Sequence, residues 1–347
     1  MIRSVRRPPP PGAPVRIARR TASWASGRLP RSTSVPREAA PASGRTRSCV
    51  PTVYSHSRLA SFENCPKQFH YRYVLRIPSP AESIEAFLGK RVHEVLEKLY
   101  LFVGEGRIPS VEAVLRRFRL NFEAAYDPAR VRIVRAENPV ATYLEMGERC
   151  LRNFYRRHYP FDAGETLGVE ENVTAALDPA GVYRVRGVID RLVRAPDGAV
   201  EIHDYKTGQR VPPQRALDED RQLALYQLAV AGRFGQRVEV RLVWHYLLSN
   251  QRRSSRRTAE QLEALRERTI AQIDAIESTS QFEPRPSALC AWCEYRALCP
   301  AAPREAGAPP AAEVQAPSAP RPPRVADPPA DPTQQPLFVG GTGAGSI

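Results

Sequence analysis

Two aspartates and a lysine lie on what the sequence predicts to be neighbouring strands. In "GVIDRLVRAPDGAVEIHDYKTG", Asp190 precedes a Pro-Asp-Gly turn, and Asp204 and Lys206 follow it. Side chains two positions apart on a strand share a face, so Asp204 and Lys206 point to the same side. A hairpin at the turn brings Asp190 beside Asp204. The spacing therefore predicts two carboxylates and one ammonium group at one end of a sheet.

This arrangement has two interpretations. The simpler one is a cross-strand ion pair on a solvated face. Against it, Asp204 shares its face with Val200 and Ile202, where an aspartate is costly unless it is paired or binds a metal ion. Two neighbouring carboxylates repel each other, and Mg²⁺ or Mn²⁺ relieves that repulsion. Such a cation activates water, while a lysine orients the water or stabilises developing charge. The group therefore suits phosphodiester hydrolysis.

Four of the six cysteines form a second pattern. Three lie in "CAWCEYRALCP" with the spacing C-x2-C-x5-C, and one lies far ahead of them: Cys290, Cys293, Cys299 and Cys65. This grouping indicates a metal centre rather than buried thiols or a disulfide. Zinc and an iron–sulfur cluster both satisfy four thiolates, and the spacing does not decide between them. Cys150 is predicted to be a small buried apolar residue, and Cys49 has no assigned role.

The hydrophobic periodicity predicts a mixed α/β core behind these groups. A short helix with Ser55 or Ser57 as its N-cap begins the region, and helices over 86–103, 110–126 and 141–159 form an insertion ahead of the sheet. Strands over 168–177, 182–193 and 199–208 form an antiparallel meander. A helix over Asp218–Ala231, a strand over 237–248 and a helix near Thr258–Glu277 follow.

These motifs resemble the PD-(D/E)XK nuclease superfamily and, within it, the RecB-like branch that includes the AddB-type and CRISPR-adaptation nucleases. "GVIDR" followed by "DYKTG" is similar to the superfamily's signature, "LGKRVHEVLEKL" to the branch's G-x-x-V-H-x-x-L-E helix, and "QLALY" to its Q-x-x-x-Y motif. The resemblance covers residues 54–300. It implies a restriction-endonuclease-like fold, with a mixed sheet core flanked by helices and a helical insertion.

The resemblance also implies roles for individual residues. The implied metal ligands are His93, Asp190, Asp204 and the carbonyl of Tyr205. The implied catalytic lysine is Lys206, and the residues that contact DNA or support the site are Gln222 and Tyr226, one helical turn apart. Possible outer-shell acids are Glu97 and either Glu170 or Glu171.

The cysteine pattern is similar to that of AddB-type nucleases, which have one cysteine before the nuclease motifs and three after them. There the four cysteines hold a 4Fe-4S cluster that joins the ends of the domain. The resemblance thus favours an iron–sulfur staple held by Cys65, Cys290, Cys293 and Cys299, with Zn²⁺ as the alternative. The cluster would join Cys65 to cysteines that lie far away in the sequence, and closing this long loop predicts a structural role for the cluster.

The two ends of the chain differ from the middle in composition. The net charge is +14, of which residues 1–50 contribute +10 through eleven Arg and one acid, and residues 301–347 contain eleven Pro. We predict disordered arms at 1–50 and 301–347 around a nuclease domain at 51–300. In the tail, "QQPLF" (Gln334 to Phe338) is similar to sliding-clamp-binding peptides. No apolar run is long enough to span a membrane, which predicts a cytoplasmic protein.

The residues and the resemblance together predict a metal-dependent deoxyribonuclease, an exonuclease on single-stranded DNA or processed DNA ends, in repair or recombination. Four arginines after the last strand, Arg252, Arg253, Arg256 and Arg257, either grip phosphates or form a basic loop. The alternatives are a CRISPR spacer-acquisition nuclease of the same fold and a non-catalytic DNA-binding or scaffold module with a four-cysteine metal site. A further alternative is a subunit of a helicase–nuclease complex, in which a partner supplies the motor if one is needed, because the chain contains no nucleotide-binding Gly-rich loop.

Overall fold

The computed structural model of this chain describes residues 52–235 and 238–302. The predictions for residues 1–50, for the tail beyond residue 302 and for the Gln334–Phe338 peptide lie outside that range. Within it, no helix combines the length and the apolar composition that a membrane span requires.

A mainly helical first part is followed by three consecutive strands, two helices, two strands and a last long helix. The described residues form eight strands, β1 (Thr52–Ser55), β2 (Glu82–Ser83), β3 (Val131–Arg132), β4 (Glu165–Ala176), β5 (Tyr183–Arg194), β6 (Val200–Lys206), β7 (Val240–Tyr246) and β8 (Gln251–Ser255). The α-helices are α1 (His56–Asn64), α2 (Pro66–Phe69), α3 (Ile84–Gly104), α4 (Val111–Ala125), α5 (Val140–His158), α6 (Gln214–Asp218), α7 (Gln222–Phe234) and α8 (Ala259–Ser278). A π-helix at His70–Val74 follows α2, and short 3₁₀ helices occur at Ala288–Trp292 and Arg296–Leu298.

Six strands form one mixed sheet in the order β1-β5-β6-β7-β8, with β4 paired to β5. The predicted meander is confirmed, because β4, β5 and β6 pair antiparallel in succession. β6 and β7 are parallel and are joined through α7, as a parallel pair requires. Arg191 lies opposite His203, so the preceding residue, Asp190, faces Asp204 across the hairpin.

The sheet has a hydrophobic core on each face. On one side, Ile202 of β6 packs with Leu59 of α1, Leu223 of α7 and Ile273 of α8. On the other side, Tyr205 packs with the three long helices of the insertion, α3, α4 and α5. The result is a mixed α/β fold with helices on both sides of the sheet, as predicted.

Two predicted elements differ from the structure. The single helix predicted over Asp218–Ala231 is broken, because the Asp220 carboxylate accepts a hydrogen bond from the Leu223 amide at 3.2 Å and begins α7 after α6 has ended. The arginine-rich stretch after β7 is the edge strand β8. A strand made of Gln, Arg and Ser suits a sheet edge, since charged side chains there discourage pairing with other chains.

Candidate active site

Lys206 lies at the centre of a chain of polar contacts at the end of β6. Its Nζ is 2.8 Å from Asp204 Oδ2 and donates to Gln222 Oε1 at 3.1 Å. Gln222 Nε2 in turn donates to the Tyr226 hydroxyl at 3.5 Å. Four residues predicted from the sequence therefore lie together in the structure. Of the two from α7, Gln222 contacts the lysine directly, and Tyr226 contacts Gln222.

Burial lowers the pKa of Lys206, but the Asp204 carboxylate outweighs burial and raises that pKa above its ordinary value. The side chain is therefore an ammonium group at neutral pH, able to donate hydrogen bonds and unable to act as a base. Burial raises the pKa of Asp204 to about 6; Lys206 opposes this effect, and the nearby Asp190 adds to it.

A second group lies beside the first and consists of His93 from α3, Glu170 from β4 and Asp190 from β5. One nitrogen and two carboxylate oxygens from these residues all lie within 4.8 Å of one another. His93 Nδ1 is 3.5 Å from Asp190 Oδ1 and 3.9 Å from Glu170 Oε1. Asp204, predicted as a ligand, lies outside this group of three and pairs with Lys206.

The backbone of Tyr205 orients both His93 and Asp190. Its N–H donates to Asp190 Oδ2 at 2.6 Å, and its carbonyl accepts from His93 Nε2 at 2.9 Å. With the proton on Nε2, the lone pair of His93 is on Nδ1, facing the two carboxylates. The Tyr205 carbonyl, predicted as a possible ligand, here accepts the hydrogen bond that fixes the tautomer of His93, an arrangement that is usual for histidines that bind metal.

Glu170 was among the predicted outer-shell acids, and the structure places it in the inner group. Its φ of 46° is in the left-handed region, which is uncommon for a residue other than glycine and occurs often at functional sites. The neighbouring Glu171 points elsewhere and pairs with Arg233 at 2.6 Å. Sequence reasoning could not choose between the two glutamates, because the choice depends on this local backbone conformation.

The two carboxylates of this group repel each other, and both attract the imidazole of His93. Burial raises the pKa of Glu170 to about 7, and Asp190 contributes to the increase. Burial lowers the pKa of His93, but Asp190 and Glu170 outweigh it and raise the value to about 9. Without a metal the site therefore holds protons. One imidazole nitrogen and two carboxylate oxygens so close together are a donor set that fits Mg²⁺ or Mn²⁺.

The four predicted cysteines line one cavity of about 230 Å³ at the other end of α1. None of the four forms a disulfide in the structure. Two backbone amides point at sulfurs: Arg285 N–H donates to Cys65 Sγ at 3.4 Å and Ser287 N–H to Cys290 Sγ at 3.3 Å. The donor set and the cavity fit a metal centre. Cys150 is fully buried, as predicted.

The aromatic side chains that follow Cys65 and the arginines that follow β7 are used for packing or internal pairing. Phe69 and Tyr71 are buried, and Tyr71 donates to the Leu298 carbonyl at 2.9 Å, which joins the two cysteine-bearing segments. On β8, Arg252 pairs with Glu201 at 3.2 Å. The other pairings there are Arg253 with Gln251, Arg256 with Glu239, and Arg257 with the carbonyls of Leu217 and Asp220.

Comparison with known proteins agrees with this geometry. The family model of the PD-(D/E)XK nuclease superfamily matches residues 53–300, well over half of the chain. The chain belongs to this superfamily, and its activity class is nuclease.

Individual relatives are distant. None of the curated proteins matches the chain. The crystal structure of SSO0001 is 13% identical, with a TM-score of 0.32, covering 73% of this chain and 88% of that one. A candidate exonuclease from Eubacterium rectale is 14% identical, with a TM-score of 0.42, covering 70% and 86%.

Proposed function

We propose that the protein is a divalent-metal-dependent deoxyribonuclease of the RecB-like branch, acting as an exonuclease on single-stranded DNA or processed DNA ends in repair or recombination. The observation that supports this most strongly is the adjacency of two groups. One is His93–Glu170–Asp190, which offers three ligand atoms within 4.8 Å. The other is Asp204–Lys206, whose charged atoms are 2.8 Å apart.

In this proposal His93, Glu170 and Asp190 hold Mg²⁺ or Mn²⁺. The bound cation supplies an activated water and neutralises charge on the phosphate. Asp204 contributes negative charge beside the metal ligands and keeps Lys206 protonated.

Lys206 then orients the attacking water and stabilises the negative charge that develops on the phosphate oxygens. It does not remove the proton from water, because its ammonium form is favoured at neutral pH. Gln222 fixes the direction of the ammonium group through the 3.1 Å hydrogen bond, and Tyr226 supports Gln222. Such positioning is worth a large part of the rate in phosphoryl transfer.

We further propose that the four cysteines hold a 4Fe-4S cluster. A zinc–sulfur distance of about 2.3 Å in a tetrahedron puts sulfurs about 3.8 Å apart. Within 52–235 and 238–302, the only group with three ligand atoms mutually within 4.8 Å is the one at His93, so the cysteine sulfurs are more widely spaced. Wider spacing around a cavity of about 230 Å³ favours a cluster over a single Zn²⁺. Iron and sulfide analysis of anaerobically purified protein tests this.

The partners that we propose are DNA, a helicase subunit that supplies the missing motor, and the sliding clamp through Gln334–Phe338. A cytoplasmic location follows from these partners. The clamp interaction is tested by deleting the five-residue peptide and measuring clamp binding. The peptide's only expected effect is to raise the enzyme's local concentration on DNA.

The experiment that tests the main proposal is cleavage of end-labelled single- and double-stranded DNA with Mg²⁺ or Mn²⁺. Wild type is compared with Lys206→Ala and with the matched variant Lys98→Ala, which removes an exposed lysine from α3. We expect metal-dependent cleavage that Lys206→Ala abolishes and Lys98→Ala retains. The product ladder separates exonuclease from endonuclease action. Metal-dependent cleavage that survives in Lys206→Ala contradicts the assignment of the catalytic lysine.

A further inference from the structure

A groove of about 550 Å³ lies beside the catalytic lysine and is separate from the metal ligands. Its walls come from α1, from the start of α7 and from α8. Arg221, in one wall, immediately precedes Gln222, whose side chain holds Lys206. The positive charge of Lys206 also acts on His56 in the groove, where it helps to lower the pKa of that histidine. A strand that presents one phosphodiester to Lys206 therefore has this groove within reach of its neighbouring nucleotides.

The acidic residues of the groove are already neutralised by arginines. Both carboxylate oxygens of Glu63 accept from Arg221, at 2.8 and 2.7 Å. Glu219 pairs with Arg215 at 3.2 Å. Neither acid is left to repel an anion, because each has its own guanidinium partner.

Two further arginines line the groove and leave it with excess positive charge. Arg285 donates to the backbone carbonyl of Glu63, which is neutral, so its charge is not cancelled. Arg268 on α8 is exposed and makes no hydrogen bond or ion pair with any residue of the described chain. A guanidinium with no partner on the wall of a cavity is free to bind an anion.

His56 supplies an unsatisfied polar atom in the same wall. It is the first residue of α1, and its Nδ1 is buried without a hydrogen-bond partner among the residues described. Burial and the neighbouring Arg221 lower the pKa of His56, so the ring is neutral. A neutral imidazole with its proton on Nδ1 donates to an oxygen, and the N-terminus of a helix favours negative charge beside it.

We propose that this groove binds a backbone phosphate of the substrate strand next to the one that is cleaved, with Arg268 and His56 as its contacts. The ligand class is the phosphodiester of a single-stranded nucleic acid. The inference rests on the proposed nuclease function and adds to it a contact that positions the strand. Such a contact strengthens binding without regard to base sequence.

The test compares Arg268→Ala with Arg117→Ala, a matched loss of an exposed arginine from α4, outside the groove. Binding of a fluorescent single-stranded oligonucleotide is measured by anisotropy in EDTA across a salt series. Loss of one phosphate contact makes the slope of log K against log salt shallower by about 0.7. We expect that change in Arg268→Ala, with affinity lower by roughly five- to tenfold, and wild-type behaviour in Arg117→Ala. His56→Leu is expected to weaken binding in the same direction.

Other outcomes overturn the proposal. If Arg268→Ala and Arg117→Ala have equal salt slopes and equal affinities, the groove does not bind a substrate phosphate. That result does not affect the proposed nuclease function, because binding in EDTA is independent of cleavage. If Arg268→Ala binds the oligonucleotide as wild type does, and only the inhibition of cleavage by inorganic phosphate is lost, the groove binds free phosphate instead. Failure of the wild-type protein to bind oligonucleotide also overturns the proposal, whereas failure to cleave with any metal refutes the proposed function alone.

Discussion

Gly187 lies on β5 against the ring of Tyr226, and Gly187→Ala tests how far the position of that ring determines the site. A methyl group at residue 187 would meet Tyr226 Cε1 at 2.0 Å, Cζ at 2.6 Å and the hydroxyl at 2.8 Å. Because carbon atoms in contact lie about 3.5–4.0 Å apart, the ring has to move by about 1.5 Å. The Tyr226 hydroxyl supports Gln222, and Gln222 holds Lys206, so the displacement reaches Lys206.

The expected cost has two parts. Overpacking by one methyl group destabilises a folded protein by about 1–3 kcal/mol. For a domain of this size each kcal/mol lowers Tm by about 2–4 °C. Misplacing a catalytic group by about 1 Å costs on the order of 100-fold in rate. We therefore expect Gly187→Ala to fold, with a lower Tm and a kcat reduced by about two orders of magnitude.

The assay is single-turnover cleavage of an end-labelled strand, with Tm measured in the same buffer. The control is Gly232→Ala on α7, the helix that carries Tyr226, where the added methyl group meets nothing within 4 Å. That change is expected to leave the rate unaltered and to stabilise the helix by about 0.5–1 kcal/mol.

A double-mutant cycle with Tyr226→Ala tests whether the loss of rate in Gly187→Ala is caused by displacement of the Tyr226 ring. Removing the ring removes the clash, so Gly187→Ala is expected to have little further effect in that background. An equal loss of rate in both backgrounds would falsify the proposal that residue 187 acts through Tyr226. A wild-type rate in Gly187→Ala would show that the ring does not determine where Lys206 points.

Three further predictions concern the two proposed metal sites. Glu170→Gln is expected to weaken Mn²⁺ binding, measured by calorimetry, by about tenfold or more. The control is Glu171→Gln, which changes the partner of Arg233 and is expected to leave the Mn²⁺ affinity within about twofold of wild type. Equal effects of the two variants contradict the assignment of Glu170. Protons held by Glu170 and His93, with pKa values raised to about 7 and about 9, stabilise the metal-free protein at low pH, and this contribution is lost as pH rises through those values. Since metal binds the deprotonated groups, Mg²⁺ should raise Tm more at pH 9 than at pH 6, and a larger shift at pH 6 is the contrary result. Cys65→Ser is expected to lose bound iron and lower Tm, while Cys150→Ala keeps its iron because its thiol lies in the other core; full iron content in Cys65→Ser speaks against the cluster.

The sequence was informative wherever local rules decide the outcome. Strand periodicity and the Pro-Asp-Gly turn were sufficient to place Asp190 opposite Asp204, because a hairpin fixes its register through its turn. Helical spacing was sufficient to put Gln222 and Tyr226 on one face.

What the sequence could not provide depends on tertiary structure. Nothing in the order of residues distinguishes Glu170 from Glu171, since the left-handed backbone at Glu170 arises within the assembled sheet. The groove beside Lys206 was also missed, because α1, α7 and α8 contribute to it from distant parts of the chain. The unpaired state of Arg268 is likewise a property of the folded surface.

Tyr205 holds residues from different elements of the chain in a fixed arrangement at the candidate site. Its side chain is buried among the helices of the insertion, in the core that contains α3. Its neighbours on β6, Asp204 and Lys206, point to the opposite face, where α7 lies. Its backbone N–H holds Asp190, and its carbonyl holds His93. Packing of the Tyr205 ring therefore fixes where along β6 the His93–Glu170–Asp190 group meets the Asp204–Lys206 pair. A shift of the insertion relative to the sheet would move His93 but leave Lys206 in place, so the proposed joint action of the two groups on one phosphate requires the packing around Tyr205.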